Sequence, residues 1–266
     1  MDLSSLDRLD ILEMIFPLVY SPLYTFDHSQ SVPDKIINYS IEVETGVNIH
    51  CGFWVSAKDC PSILYFHGNG ETVSNYDWIA PFYTQKGINL FVAEYRGYGS
   101  SDGKPTISNM NSDTHIIFNR FKEMINQEGF NRNIFVMGRS LGSIPAVDLS
   151  FNNQDEICGL IIESGTDNNF RNLWTFTGID DKGLLDEDSL FLNKVKLRQI
   201  IKPTLIIHGE NDSLIPVKAS EELYKNSAAK DKHILLIPGA DHNNVMLVKQ
   251  DEYFDTIEFF VKSHIK

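Results

Sequence analysis

Three residues of this sequence have the types and the chain order that can turn an alcohol into a nucleophile: Ser140, Asp212 and His242. Ser140 sits in the stretch I-F-V-M-G-R-S-L-G-S, between Gly138 and Gly142 and directly after an apolar run. A serine at the apex of a sharp strand-to-helix turn needs a strained backbone, and side chains two residues to either side would collide with the flanking elements. Glycine at both places lets the turn close and presents the hydroxyl. The pattern also fits an ordinary strand–helix turn, so it needs partners. A serine hydroxyl attacks a carbonyl only when a base takes its proton, and a histidine base needs an acid to fix its tautomer. Asp212 follows the apolar run Leu205–Ile207, and His242 follows the run Ile234–Ile237.

Other residues compete for these roles. Asp241 neighbours His242, but adjacent residues seldom aim an acid at the ring beside them, so a solvated Asp241 is expected. Glu163 ends another apolar run and is an alternative acid; Asp212, in H-G-E-N-D, is preferred. His67 and His208 each follow an apolar run in an H-G pair, where histidine is expected to brace a loop through hydrogen bonds rather than act as a second base.

These residues must be positioned by elements that the pattern of apolar residues makes legible. Segments Ile36–Val43 and Ile49–Val55 alternate apolar and polar residues around Thr45-Gly46 and read as a hairpin. Then come short apolar runs, Ile63–Phe66, Leu90–Ala93, Ile134–Met137, Leu160–Ile162, Leu205–Ile207 and Ile234–Ile237, which suit strands buried on both faces. Met110, Ile117, Phe121 and Met124 fall on one helical face, with Thr114 in the remaining step. A second helix is expected at K-A-S-E-E-L-Y-K, and a third over Val245–Val261 with Val248, Phe254, Ile257 and Phe260/Val261 inward. This alternation implies an α/β fold with a mostly parallel sheet, in which ligands bind at the carboxyl ends of strands. All three candidate residues stand at such ends. Residues from about 165 to 200 fit the alternation poorly and read as an insertion. Met14–Tyr20 reads as a helix docked on the domain, with peripheral membrane contact as the alternative.

Four segments together resemble serine hydrolases of the α/β-hydrolase superfamily: H-G-N-G, E-Y-R-G-Y-G-S-S-D-G, G-R-S-L-G, and H-G-E-N-D-S-L-I-P-V followed by G-A-D-H. The resemblance runs from about residue 36 onward, to the small-lidded esterase and thioesterase-like group. It implies a single domain over residues 1–266 with the α/β-hydrolase fold, a mostly parallel eight-stranded sheet with helices on both faces, residues 1–35 as an N-terminal extension and a short lid at about 165–200. By that likeness Ser140 is the nucleophile, His242 the general base and Asp212 the orienting acid. The oxyanion is expected to meet the backbone N–H groups of Leu141 and Asn69. Phe170, Trp174 and Phe176, in the insertion, either line the substrate pocket or seal the insertion onto the core. Pro145 departs from the pattern, since it falls inside the helix that should follow Ser140. Arg96-Gly97-Tyr98-Gly99 is expected to be an architectural loop.

Composition narrows the partners. The chain has 266 residues and a net charge of −13, so its surface as a whole repels phosphate backbones, which argues against a nucleic-acid role. The start lacks a signal-peptide pattern, and no stretch reaches the ~18 apolar residues of a transmembrane helix. Three cysteines, Cys51, Cys60 and Cys158, have no metal-site or disulfide spacing, which favours a reducing compartment and a cytoplasmic location. The expected activity is cleavage of a carboxylic ester, or of a thioester or amide, through an acyl-enzyme on a small-molecule or acylated substrate, with no metal and no cofactor. The alternatives are a peptidase or acyl-protein thioesterase on the same triad, and a non-catalytic binding protein of the same fold.

Overall fold

The structure, a computed structural model, describes residues 3–20, 36–169, 189 and 191–265. Eight strands are hydrogen-bonded in the order β1-β2-β4-β3-β5-β6-β7-β8, which is the expected α/β-hydrolase sheet. The chain divides into two compact units, one from Asp2 to Asn133 and one from Ile134 onward.

The N-terminal unit opens with two short helices, α1 (Leu9–Ile15) and α2 (Pro17–Tyr20), where one helix is expected. Pro17 starts the second, and the break at Phe16 precedes it as the restriction on a residue before proline requires. Ile11, Leu12, Ile15 and Phe16 are buried. The hairpin forms as expected from β1 (Ile36–Glu44) and β2 (Val47–Trp54) around Thr45-Gly46. β2 pairs antiparallel with β4 (Asn89–Ala93), and β4 pairs parallel with β3 (Ser62–Phe66). The helices α3 (Ala80–Gln85) and α4 (Ile107–Gln127) complete this unit. Phe53, Phe91 and Phe121 form an aromatic cluster, with the Phe91 and Phe121 ring centroids 4.5 Å apart. Burial of each such ring contributes about 2–3 kcal/mol, which holds α4 to the sheet. Thr106 caps α4 by accepting from the Asn109 N–H, and Asp7 accepts from the N–H groups of Ile107 and Ser108. Met124 is half-exposed; the buried stripe ends at Ile125 instead, because it drifts around the helix over its long run.

The C-terminal unit contains β5 (Ile134–Arg139), β6 (Gly159–Glu163), β7 (Thr204–Gly209) and β8 (Lys232–Ile237), paired parallel in that order. Its helices among the described residues are α5 (Ser143–Asn152), α6 (Asn193–Leu197), α7 (Lys218–Asn226), α8 (Val245–Val248) and α9 (Gln250–Ser263). β5, β6 and β7 are buried along their whole length, as their apolar runs require. β8 is the edge of the sheet, and only Ile237 within it is fully buried, which corrects the reading of Ile234–Ile237 as buried on both faces. The final segment is two helices broken at Lys249, whose φ of −137° and ψ of 65° are not helical. Val248 is therefore exposed rather than inward, while Phe254, Ile257, Phe260 and Val261 form the buried face of α9. Of the expected insertion, 165–169, 189 and 191–200 are described and contain α6.

Candidate active site

Ser140 follows β5 directly and has a φ of 51°, a left-handed conformation rare for a residue with a side chain. A Cβ on Gly138 would run into the Gly142 carbonyl oxygen and lie 2.6 Å from the Ala146 Cβ. The glycine before the serine is thus a steric necessity of the turn, as expected. A single 3-10 turn, Ser140–Gly142, leads into α5, and the Ser143 hydroxyl donates to the Ser140 carbonyl at 2.6 Å. Pro145 is the third residue of α5, within the first turn, where no intrahelical partner is lost. Leu141 lies in the 3-10 turn at the head of this helix, where N–H groups point outward without intrahelical acceptors.

Asp212 lies in the loop after β7. Its Oδ1 accepts from the N–H groups of Leu214 at 2.9 Å and Ile215 at 2.8 Å. Its Oδ2 faces His242 Nδ1 at 2.7 Å and His208 Nε2 at 3.2 Å. Burial alone would push the pKa of this carboxyl up. Hydrogen bonds from His208, His242 and the Ile215 N–H outweigh it and hold Asp212 well below the usual carboxylate range. His242 Nε2 is 2.9 Å from Ser140 Oγ. The three residues expected to act together are therefore joined in one line, Asp212–His242–Ser140, each nearly buried.

Two loops must meet for this, and backbone contacts fix how. Asn211 N–H donates to the Ala240 carbonyl at 2.9 Å, and Glu210 N–H donates to Ile237 at 3.1 Å. A Cβ on Gly209 would lie 2.5 Å from the Ala240 carbonyl oxygen, so the glycine of H-G-E-N-D lets the loop bearing His242 close on the loop bearing Asp212. A further anchor comes from Arg139, next to the serine. Its Nη2 donates to the His242 carbonyl at 2.7 Å, and its Nε lies 3.3 Å from Glu163 Oε1. Tyr253 of α9 donates its hydroxyl to Glu163 Oε2 at 2.7 Å. Glu163 is thus committed to a buried ion pair and is not the acid partner of His242. Asp241 is exposed and accepts from the N–H groups of Asn243 and Asn244, a local turn rather than a second acid.

His208 braces its loop as expected, but also touches the Asp212 carboxylate, which no spacing in the sequence announces. Arg139 carries no signal in the sequence, because the position between Gly138 and Ser140 has no pattern requirement; a buried arginine beside a turn is visible only once its partners are. In the N-terminal unit, Asn69 follows β3, and its side chain is fully engaged. Asn69 Nδ2 donates to the Ile15 carbonyl at 2.7 Å, and Tyr98 donates its hydroxyl to Asn69 Oδ1 at 2.5 Å. His67 Nδ1 lies 2.8 Å from the Gly68 carbonyl oxygen, and its ring lies tilted against Tyr95 with the centroids 4.6 Å apart. Arg96 forks onto Asp113 at 2.7 and 2.9 Å and reaches Glu44, so its loop is architectural as expected. Phe170, Trp174 and Phe176 lie outside the described residues. Among the described residues, no group of three or more His, Cys, Asp or Glu side chains is placed to hold a metal ion, and no helix is long and apolar enough to cross a membrane.

Comparison with known proteins agrees with this architecture. Residues 57–166 and 193–246, more than half of the chain, match the family described as "Serine aminopeptidase, S33". Protein bem46 of Schizosaccharomyces pombe is 28 % identical over 219 residues, covering 77 % of this chain and 69 % of that protein. Alpha/beta hydrolase domain-containing protein 17B of Homo sapiens is 28 % identical over 247 residues, covering 90 % of this chain and 80 % of that protein. The crystal structure of an esterase from Pyrococcus furiosus superposes with a TM-score of 0.73 at 18 % identity, covering 90 % of this chain and 96 % of the esterase, a likeness of fold. With its sheet order and its matched segments taken together, the chain is a hydrolase of the α/β-hydrolase superfamily and belongs to the family described as serine aminopeptidase, S33.

Proposed function

We propose that this hydrolase is a serine esterase that works through an acyl-enzyme on Ser140. The observation that carries the proposal is the line of hydrogen bonds from Asp212 through His242 to Ser140 Oγ, at 2.7 and 2.9 Å, ending on a serine in a left-handed turn. His242 Nε2 takes the Ser140 proton as Oγ attacks the ester carbonyl carbon. The carbonyl π-electrons move to oxygen, and this oxyanion is received by the backbone N–H group of Leu141, with the Asn69 N–H as the second donor that the family resemblance implies. A preorganised donor of this kind contributes about 10²–10³ in rate. The tetrahedral adduct collapses, and the alkoxide leaves with the proton from His242. A water then gives its proton to His242 and attacks the acyl carbon, and collapse releases the carboxylic acid as Ser140 regains its hydrogen. Asp212, held as carboxylate, keeps the Nδ1–H of His242 in place and stabilises the imidazolium formed in each half.

The same machinery cleaves thioesters and amides. Ester is preferred because an alkoxide or phenolate leaves without the firm protonation that an amine demands. We propose a reducing, cytoplasmic setting, supported by the free thiols Cys51, Cys60 and Cys158. The test uses a fluorophosphonate probe together with matched p-nitrophenyl ester, thioester and aminoacyl-anilide substrates. Wild type is labelled and turns over the ester fastest, whereas Ser140→Ala is neither labelled nor active. Equal labelling of Ser140→Ala, or binding of esters without turnover by wild type, overturns the proposal; fastest turnover of the anilide replaces the esterase reading with a peptidase.

A further inference from the structure

His208 is a wholly buried imidazole that the mechanism above does not use. It is the penultimate residue of β7, four residues before Asp212. Nε2 is 2.8 Å from the Ile215 carbonyl oxygen and 3.2 Å from Asp212 Oδ2. Both are acceptors, so Nε2 carries the hydrogen and donates to them. Nδ1 is 2.5 Å from the hydroxyl of Ser220, which is itself fully buried on α7. With the imidazole hydrogen on Nε2, Nδ1 is the acceptor and Ser220 the donor. Ser220 therefore matches the tautomer that His208 presents to Asp212 and holds the ring in place through Nδ1.

We infer that His208, held by Ser220, is a positioning residue for the proposed reaction: its Nε2–H shares the Asp212 carboxylate with His242 and so sets how strongly that carboxylate holds the base. The inference rests on the reading of Ser140, Asp212 and His242 as nucleophile, acid and base. Asp212 Oδ1 is occupied by the N–H groups of Leu214 and Ile215, so its orientation is fixed from one side by the loop. Oδ2 is left to the two histidines. Each hydrogen bond that Oδ2 accepts from His208 withdraws charge that would otherwise stabilise the His242 imidazolium. The ionisable groups facing Oδ2 among the described residues are these two rings; Arg139, from β5, donates to the His242 carbonyl and to Asn243 Oδ1 and is paired with Glu163. Loss of the His208 donor therefore concentrates charge on Oδ2, makes His242 easier to protonate, and moves the acid limb of the pH–rate profile upward. It also frees the carboxylate to turn, which lowers kcat.

The experiment measures p-nitrophenyl ester hydrolysis by the full chain between about pH 5 and pH 9, with thermal unfolding recorded for each variant. The variants are Ser140→Ala, Ser220→Ala, His208→Leu and His208→Gln. In Ser220→Ala and His208→Leu, kcat falls about tenfold, the scale of one hydrogen bond to an ionised group, with KM unchanged. Their acid limb moves up by about half a pH unit or more. His208→Gln keeps an N–H donor and returns both quantities toward wild type. A limb that superimposes on wild type in Ser220→Ala and in folded His208→Leu overturns the inference, even where kcat falls, because packing alone lowers kcat without moving the limb. If His208→Leu does not fold, Ser220→Ala decides alone. Activity retained by Ser140→Ala fails the catalytic reading instead, and the two failures are distinguishable.

Discussion

The loops that carry Asp212 and His242 and the loop that carries Asn69 are fastened in different ways. In the C-terminal unit, the Asp212 and His242 loops are joined by backbone hydrogen bonds, Asn211 to Ala240 and Glu210 to Ile237, with Gly209 allowing the close approach. A buried side-chain network, Arg139–Glu163–Tyr253, adds a second anchor. In the N-terminal unit, the H-G-N-G loop hangs on side chains. Asn69 bonds the last carbonyl of α1, Tyr98 bonds Asn69, and the Glu71 carboxylate accepts from the Gly68 N–H and the Tyr76 hydroxyl. Backbone fastening survives most side-chain substitutions and fails where a glycine is needed or a donating N–H is lost. Side-chain fastening can be tuned residue by residue, so the two loops should respond differently to mutation.

Four predictions sharpen this contrast. The largest effect is on chemistry: Ser140→Ala or His242→Ala should lower kcat/KM by at least about 10³-fold, with unfolding midpoints close to wild type. Urea denaturation alongside ester kinetics checks this, and near-normal turnover in either variant breaks the assignment. Next comes Arg139→Met, which leaves Glu163 buried without its cationic partner and should destabilise the fold by about 3 kcal/mol. Adding Glu163→Gln should restore much of that loss, and a double-mutant cycle with no coupling would remove the pair from the argument.

Asn69→Ala should lower kcat about three- to tenfold, well short of the Ser140→Ala loss, because only a side-chain tether of the loop is lost. Removal of the first 20 residues should act in the same direction, since Ile15 supplies the tether's acceptor. A truncation that leaves kcat untouched would break the proposed difference between the loops. The smallest effect is a pH dependence. Asp212 is depressed below its ordinary value, so its contribution to stability is fully present above the unfolded value of about 3.9 and is lost as pH falls through the folded one. The stability difference between wild type and Asp212→Asn should therefore shrink as pH is lowered from about 5 toward 2, as followed by urea midpoints. A difference that is flat with pH would mean that the carboxylate gains nothing from its hydrogen bonds.

Legibility in the sequence varied with the range of the physics. The Ser140 turn is local: Gly138 is required by a clash within eight residues, Gly138 to Ala146, so the motif and the geometry coincide. The buried strands β5, β6 and β7 were equally readable, since continuous apolar runs leave few other places to sit. The edge strand β8 has a run of the same kind and is nonetheless half-exposed, because edge or centre is set by strand order. Val248 is exposed for a related reason: the helical spacing runs across Lys249, where the chain leaves the helix. The acid was separable from its rivals only in part. Asp241 and Glu163 lie at strand ends as Asp212 does, and it is their own partners, the Asn243–Asn244 turn and Arg139, that remove them.

By itself the sequence determined the chemistry on offer: a serine forced into a turn, an acid and a histidine at later strand ends, and a sheet to carry them. Those follow from residue type and short-range sterics. Tertiary structure alone decided which oxygen faces which nitrogen: that Asp212 Oδ2 is shared between His242 and His208, that Arg139 holds the His242 carbonyl, and that Asn69 is tied to the end of α1. Hydrogen bonds act over about 3 Å, and only the packing of strands and helices brings residues far apart in the chain to that distance.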